Sequence, residues 1–320
     1  MYERISSNVR KSWMLIIGFM LFVILIGWVA GMLTGFGHWL TVGAVVFAVA
    51  MTWGSYFASD RIALSMSKAQ PADPQRYAQL HNIVEGLAIA GGLPKPRVYV
   101  VNDSAPNAFA TGRNPEHAAI AVTDGLLQKM DRNELEGVLA HELAHVKNRD
   151  TLVMTLAVTL VGIIVLLADW MLRALFWGGM DDNRGSGLGL PFAIIGVVLL
   201  LISPFFAQMM QFAISRQREF LADAEAVNLT RYPQGLIGAL EKLKGDQTVV
   251  KSSSRATAHL WIEAPIAQKA AHGRRGATKS GAWLNRMFNT HPPLDDRINA
   301  LRQMAFGAGA PEPTPTPPSA

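Results

Sequence analysis

Two histidines and a glutamate stand in the order HELAH: His141, Glu142 and His145. On a helix, residues i and i+4 share a face, so both imidazoles can grip one metal ion while Glu142 lies beside them. Neutral imidazole suits Zn²⁺, and a hydrolytic zinc needs three protein ligands and an open position for water. In such a site the carboxylate takes the proton of the attacking water and passes it to the leaving amine. The chain has no cysteine, which removes any thiolate ligand or cysteine nucleophile from consideration. The extended pattern HExxHxxGxxH requires Gly at 148 and His at 151. Asn148 and Thr151 stand there instead, so a downstream glutamate is the expected third donor.

The segment around this motif reads as its scaffold. Asp131 followed three residues later by Glu134 predicts a capped helix start, and Leu135, Val138, Leu139 and Ala144 make its apolar stripe. A helix is expected over Asp73–Gly91 and a strand over Arg97–Asn102. Asn107–Gly112 and Ala118–Thr123 read as two strands of a hairpin, joined through Arg113–His117.

Charge distribution sets the larger architecture. Charged residues are 17% of the 320, below the ordinary soluble fraction of about 25%. The deficit is local, since Ser12–Ser59, Thr151–Ala168 and Gly185–Ser215 contain no Asp, Glu, Lys or Arg. A wholly soluble globule, a disordered chain and a disulfide-stapled secreted fold are excluded. Four membrane spans are expected, at residues 13–33, 39–57, 151–176 and 190–212. The first run exceeds a signal-peptide core and is followed at once by a second, so it reads as a retained anchor. Arg4, Arg10 and Lys11 precede span one, Arg61, Lys68 and Arg76 follow span two, and Arg216, Arg218 and Arg231 follow span four. The loop between spans three and four has only Arg184, beside Asp181 and Asp182, so both termini and both polar segments read as cytoplasmic. Basic residues flanking spans account for the net +5 charge without any nucleic acid. Within the spans, Asp169 and Arg173 read as a local pair one helical turn apart. The scarcity of intramembrane carboxylates argues against transport.

Function therefore belongs to residues 60–150 and 215–307, flanked by a cytoplasmic N-terminus at 1–12 and a Pro-rich tail at 308–320. Spans three and four form an antiparallel hairpin, so residues equidistant from the bilayer come level. His145 lies six residues before Thr151 and Glu219 seven after Phe212; His141 lies ten before and Asp223 eleven after. Glu219 becomes the expected third ligand, and Asp223, one turn further on, the acceptor that holds an imidazole.

HELAHVKNRD (141–150), SRQREFLADAEA (215–226) and NTHPPLDDRINAL (289–301), with NAFATG (107–112) and ATAHLWIEAP (256–265), resemble the HtpX-type membrane zinc metalloproteases, which are related to the CAAX prenyl proteases. The resemblance implies an α+β, mainly helical fold: four transmembrane helices and a zincin-like, gluzincin-type cytoplasmic domain with a small β-sheet. It implies one Zn²⁺ held by His141, His145 and Glu219, with Glu142 as general base. It also implies an edge strand, Asn107, Ala108, Phe109 and Ala110, that receives substrate backbone, and places His291 near the reacting centre. It further implies degradation of misfolded or damaged membrane proteins at the cytoplasmic face of a bacterial inner membrane. Two segments depart from the family pattern, the basic insert 271–283 and the tail.

A developing oxyanion needs a donor besides the metal, and His291 is the expected one. Arg297 either supports the site or pairs with Asp295 or Asp296, and His259 reads as the cap of an apolar stretch or a further site group. Two other readings share these residues. A CAAX-type processing peptidase would use the same zinc chemistry but carry more spans. A zinc-binding membrane chaperone would need no Glu142.

Overall fold

The computed structural model describes residues 2–178, 194–199, 216–246, 248, 261–262 and 292–306. Two long apolar helices open the chain, α1 (Tyr2–Thr34) and α2 (His38–Met66), packed against each other and against the later helix Asp150–Gly178. Both are long and apolar enough to cross a membrane. Their outward faces carry Leu21, Leu25, Trp28, Val46 and Trp53, each more than half exposed, a large apolar surface suited to lipid. The second helix runs nine residues beyond the expected end at Phe57, bringing Ala63 and Leu64 onto the sheet below.

A short strand β1 (Gln70–Pro71), α3 (Ala78–Gly91), β2 (Arg97–Val101), β3 (Ala108–Thr111), β4 (Ala119–Thr123) and α4 (Asp124–Lys129) follow. The sheet order is β1-β2-β4-β3, with β2 parallel to β4 and the hairpin partners β3 and β4 antiparallel. The helix expected from Asp73 starts at Ala78, because Asp73 instead accepts from the backbone of Gln75 and Arg76 and closes a turn. β1 was not expected; its two residues carry no strand signal and pair only because the chain returns beside β2.

Both faces of this sheet are covered. Ala108, Ala110, Ile120 and Val122 join Val138, Leu139 and Leu143 of α5 (Arg132–Lys147) in one core. Phe109, Ala119 and Ala121 face the other way, onto Ala63, Met154 and Trp261. Strands buried on both faces read as continuous apolar runs, and all of β3 and β4 is buried. The α5 start carries the expected capping box: Asp131 Oδ1 accepts from Glu134 N at 2.9 Å and Glu134 Oε2 accepts from Asp131 N at 2.7 Å.

After α5 come α6 (Asp150–Gly178), α7 (Arg216–Thr230), α8 (Pro233–Gly245) and α9 (Leu294–Phe306). The close approach of α5 and α8 depends on glycine. A Cβ on Gly137 would meet Leu236 N at 2.6 Å, and one on Gly235 would meet Asn133 O at 2.4 Å. The 29-residue α6 covers the expected third span, and Arg173 Nε meets Asp169 Oδ2 at 2.7 Å within it. The expected fourth span, 190–212, lies mostly outside the described residues, as do the insert 271–283 and the tail 308–320.

Candidate active site

Three elements converge on one buried point. α5 supplies His141, Glu142 and His145, α7 supplies Glu219 and Asp223, and α9 supplies Arg297; all are 6% exposed or less. His141 Nε2 and His145 Nε2 are 3.2 Å apart. Glu219 Oε1 lies 3.5 Å from His145 Nε2, and its Oε2 lies 3.7 Å from His141 Nε2. A tetrahedral ion with ligand bonds of about 2.05 Å needs donor atoms about 3.3 Å apart. Each imidazole is near that distance from the other and from one oxygen of Glu219, so two nitrogens and one carboxylate converge on a space of metal-ion size. All three ligand atoms lie within 4.8 Å of one another.

The outer partners orient these donors. His141 Nδ1 lies 2.9 Å from Asp223 Oδ1. Arg297, fully buried, donates from Nε to Asp223 Oδ2 at 2.9 Å and from Nη2 to Asp223 Oδ1 at 2.6 Å. Its Nη1 lies 3.5 Å from Glu219 Oε2. The alternatives open for Arg297 thus resolve toward the site, and Asp295 meets Lys244 instead.

His145 Nδ1 lies 3.2 Å from Asp150 Oδ2, a partner that the sequence reading did not single out. Five residues along a continuous helix would point Asp150 off the His145 face. The chain is not continuous there. α5 stops at Lys147, Arg149 adopts a left-handed φ of 57°, and α6 begins at Asp150, turning that carboxylate back onto the imidazole. The motif helix and the long apolar helix after it are therefore two helices, broken at Asn148–Arg149. Asp150 Oδ1 also accepts from Asn8 Nδ2 at 2.7 Å and Arg218 Nη1 at 3.3 Å.

Electrostatics divide the two imidazoles. Burial, then the Arg297 charge, lower the His141 pKa to about 4, against the pull of Asp223. Burial also opposes the charged form of His145, but the Asp150 hydrogen bond and the Glu219 and Asp150 charges outweigh it and raise its pKa to about 9. Asp223 is opposed by burial yet held down to about 2 by Arg297 and His141, and Arg297 is held protonated. His141 can then accept on Nε2 from a protonated His145 while donating from Nδ1 to Asp223.

A small enclosed pocket of about 10 Å³ sits at the site, lined by Ala110, His141, Glu142, His145 and Ile262 among others. β3 is the sheet edge on this side, with Asn107 just before it, bonded to Thr123. The outer side of β3 is partly taken by the chain itself. Ile262 N donates to Ala108 O at 2.9 Å, and Trp261 stands edge-on to Phe109 with ring centroids 4.7 Å apart. Antiparallel alternation then puts Ala110's N–H and C=O on the same outer edge, beside the pocket. His291 and His259 lie outside the described residues.

This fold and site define a membrane-anchored metallopeptidase of the HExxH type. The chain belongs to peptidase family M48, whose family model matches residues 74–305. It is 41% identical over 312 residues to a "Protease HtpX homolog" of Caldanaerobacter subterraneus subsp. tengcongensis, covering 96% of this chain and 98% of that one. It is 38% identical over 314 residues to a "Protease HtpX homolog" of Streptococcus gordonii, covering 95% and 100% respectively. A solved structure, "Crystal Structure of S. mikatae Ste24p", is similar at 18% identity and a TM-score of 0.48, over 94% of this chain and 67% of that one.

Proposed function

We propose that this metallopeptidase is a zinc endopeptidase acting at the cytoplasmic membrane surface on unfolded or misfolded membrane proteins, with one zinc per chain held by His141, His145 and Glu219. The observation that carries this reading is the buried convergence of His141, His145 and Glu219, whose ligand atoms lie within 4.8 Å of one another, with Glu142 beside them. An all-nitrogen and oxygen donor set of two imidazoles and one carboxylate suits zinc. When bound, zinc supplies Lewis-acid charge that polarises the scissile carbonyl and makes water acidic near neutral pH.

The chain's own residues do the rest. Glu142 accepts the proton of the attacking water and returns it to the leaving amide nitrogen, a contribution of about 10²–10⁴-fold. Asp223 fixes the His141 tautomer so that Nε2 faces the ligand triangle, and Asp150 does the same for His145. Arg297 neutralises the acidic cluster and holds Asp223 in place. His291, in the THPP segment just before α9, is the proposed oxyanion donor. Substrate backbone adds to the outer edge of β3 at Ala110, in an extended conformation read through main-chain hydrogen bonds; at Ala108 it competes with Ile262.

Four spans, with both termini and the peptidase segments on the cytoplasmic side of a bacterial inner membrane, complete the reading. Its support is the Lys/Arg bias, the two apolar helices and the long α6. The relatives' name describes proteases, and the quality-control role is proposed for this chain on that likeness. The decisive experiment compares the purified chain with Glu142→Ala on an unfolded protein. The variant should keep close to one zinc per chain and lose cleavage; cleavage at the normal rate would remove this mechanism.

A further inference from the structure

A second cavity, of about 160 Å³, opens where the start of α1 meets the α5–α6 break and the first turns of α7. Asn8, Lys11, Asn148, Asp150, Gln217 and Arg218 line it. Its charges are unbalanced toward the positive. Lys11 forms no ion pair among the described residues, and the single carboxylate, Asp150, is already shared by Asn8, Arg218 and His145. Arg218 is 12% exposed in its side chain, and its Nη2 has no hydrogen-bond partner among the described residues. A guanidinium nitrogen withdrawn from water in this way is stabilised only by an acceptor, and the flanking Lys11 makes a charged acceptor the better match. Asn8 spends its Nδ2 on Asn148 O at 2.9 Å and on Asp150, which leaves that carboxylate shared further.

We propose that this cavity binds a phosphate group of net negative charge, between Lys11 and Arg218, and that the phosphate belongs to an anionic phospholipid. Its oxygens offer the several acceptor directions that a guanidinium edge and an ammonium group require together. The position on α1 favours the lipid source. Lys11 stands two residues before Trp13, which is 59% exposed and opens the apolar run, so the cavity lies at the level where interfacial aromatics and basic side chains meet headgroups. Acyl chains of a lipid seated there would continue along the exposed apolar face of α1. The same Arg218 bonds Asp150, which holds His145, so the lipid would sit two side chains from the metal-ligand face. The proposal rests on the membrane reading of α1 and not on peptidase activity.

The test uses the full-length chain in neutral detergent, titrated with short-chain phosphatidylglycerol or phosphatidylcholine, with native mass spectrometry counting bound lipid. One phosphatidylglycerol should bind at least tenfold more tightly than phosphatidylcholine. Lys11→Gln and Arg218→Gln should each cost about fivefold of that preference, and Lys11→Arg and Arg218→Lys should retain most of it. Inorganic phosphate at millimolar concentration forms a separate arm. Phosphate binding that the two Gln variants abolish, without any preference between lipids, would keep the phosphate site but overturn the lipid source. Equal binding of both lipids with no phosphate binding overturns the site altogether. So does a preference that survives unchanged in both Gln variants while their zinc content is normal.

Discussion

Arg297 carries a full charge to a point where it is 0% exposed, and it does so between two carboxylates that face the two imidazoles. Truncating one member of such a buried pair costs about 3–5 kcal/mol, because the survivor keeps its charge without a partner. The partners are also graded by distance from the metal position. Glu219→Ala should therefore lose both metal and activity, since two imidazoles alone leave zinc under-coordinated. Asp223→Asn should retain metal at affinity reduced about 10–100-fold, measured by competition with a chelating dye. Normal zinc binding by Glu219→Ala would move the third ligand elsewhere. The His145 environment makes a separate claim on pH. In chelator-stripped protein its pKa is raised to about 9 from 6.5, so the stability this provides is complete below about pH 6.5 and lost as pH rises through 9. Thermal unfolding of the stripped chain should fall across that window, and with zinc bound the fall should vanish, because the metal replaces the proton.

Among the elements, β3 makes the most specific demand. Its residues alternate between bonds to β4 and an outer edge, with Ala108 already turned outward to Ile262. Proline at an edge position removes only an outward N–H and leaves the ladder to the neighbour intact. Ala110→Pro should therefore fold, bind zinc normally and cut an unfolded protein more slowly. An unchanged rate in a folded variant would remove β3 as the substrate strand. The break between α5 and α6 is the other element-scale device. A non-glycine residue at φ 57° is held there by the bonds on either side, Asn8 to Asn148 and Asp150 to His145, and the strained backbone sets the direction of a carboxylate.

The molecule as a whole is organised so that membrane helices and peptidase elements share side chains. Asn8 on α1 closes on the α5–α6 break, and Met154 on α6 packs under the sheet with Ala63 of α2. The buried cluster of Glu142, Asp150, Glu219 and Asp223 sets four carboxylates against two arginines, Arg218 and Arg297, and, without metal, the protonated His145. A divalent cation offsets that excess, so metal binding stabilises the folded chain, by about 4 kcal/mol at a thousandfold excess over Kd. Chelation should lower the midpoint of thermal unfolding by several degrees in wild type and in Glu142→Ala alike, and added zinc should restore it. A midpoint indifferent to chelator would mean that the cluster is balanced without metal.

HELAH, the Asp131–Glu134 cap, the hairpin of Asn107–Gly112 with Ala118–Thr123, and the apolar runs were all determined by local sequence. Each depends on periodicity or on contacts within a few residues, which a linear chain displays directly. Glu219 and Asp223 were proposed from their counts along the chain, and the structure brings both beside the histidines. Asp150 was not, and Arg297 stood between two readings. Asp150 reaches His145 only through the left-handed turn at Arg149, a backbone state that nothing in the residue type announces. Arg297 has two acidic neighbours in sequence and bonds neither of them in the site; it finds Asp223, 74 positions away, because α9 and α7 pack together and bury all three charges of that corner. The occupation of the β3 edge by Ile262 is of the same kind, a pairing across 154 positions. Burial makes such long-range partners obligatory, since a charge or backbone group removed from water must find its complement wherever the fold brings one.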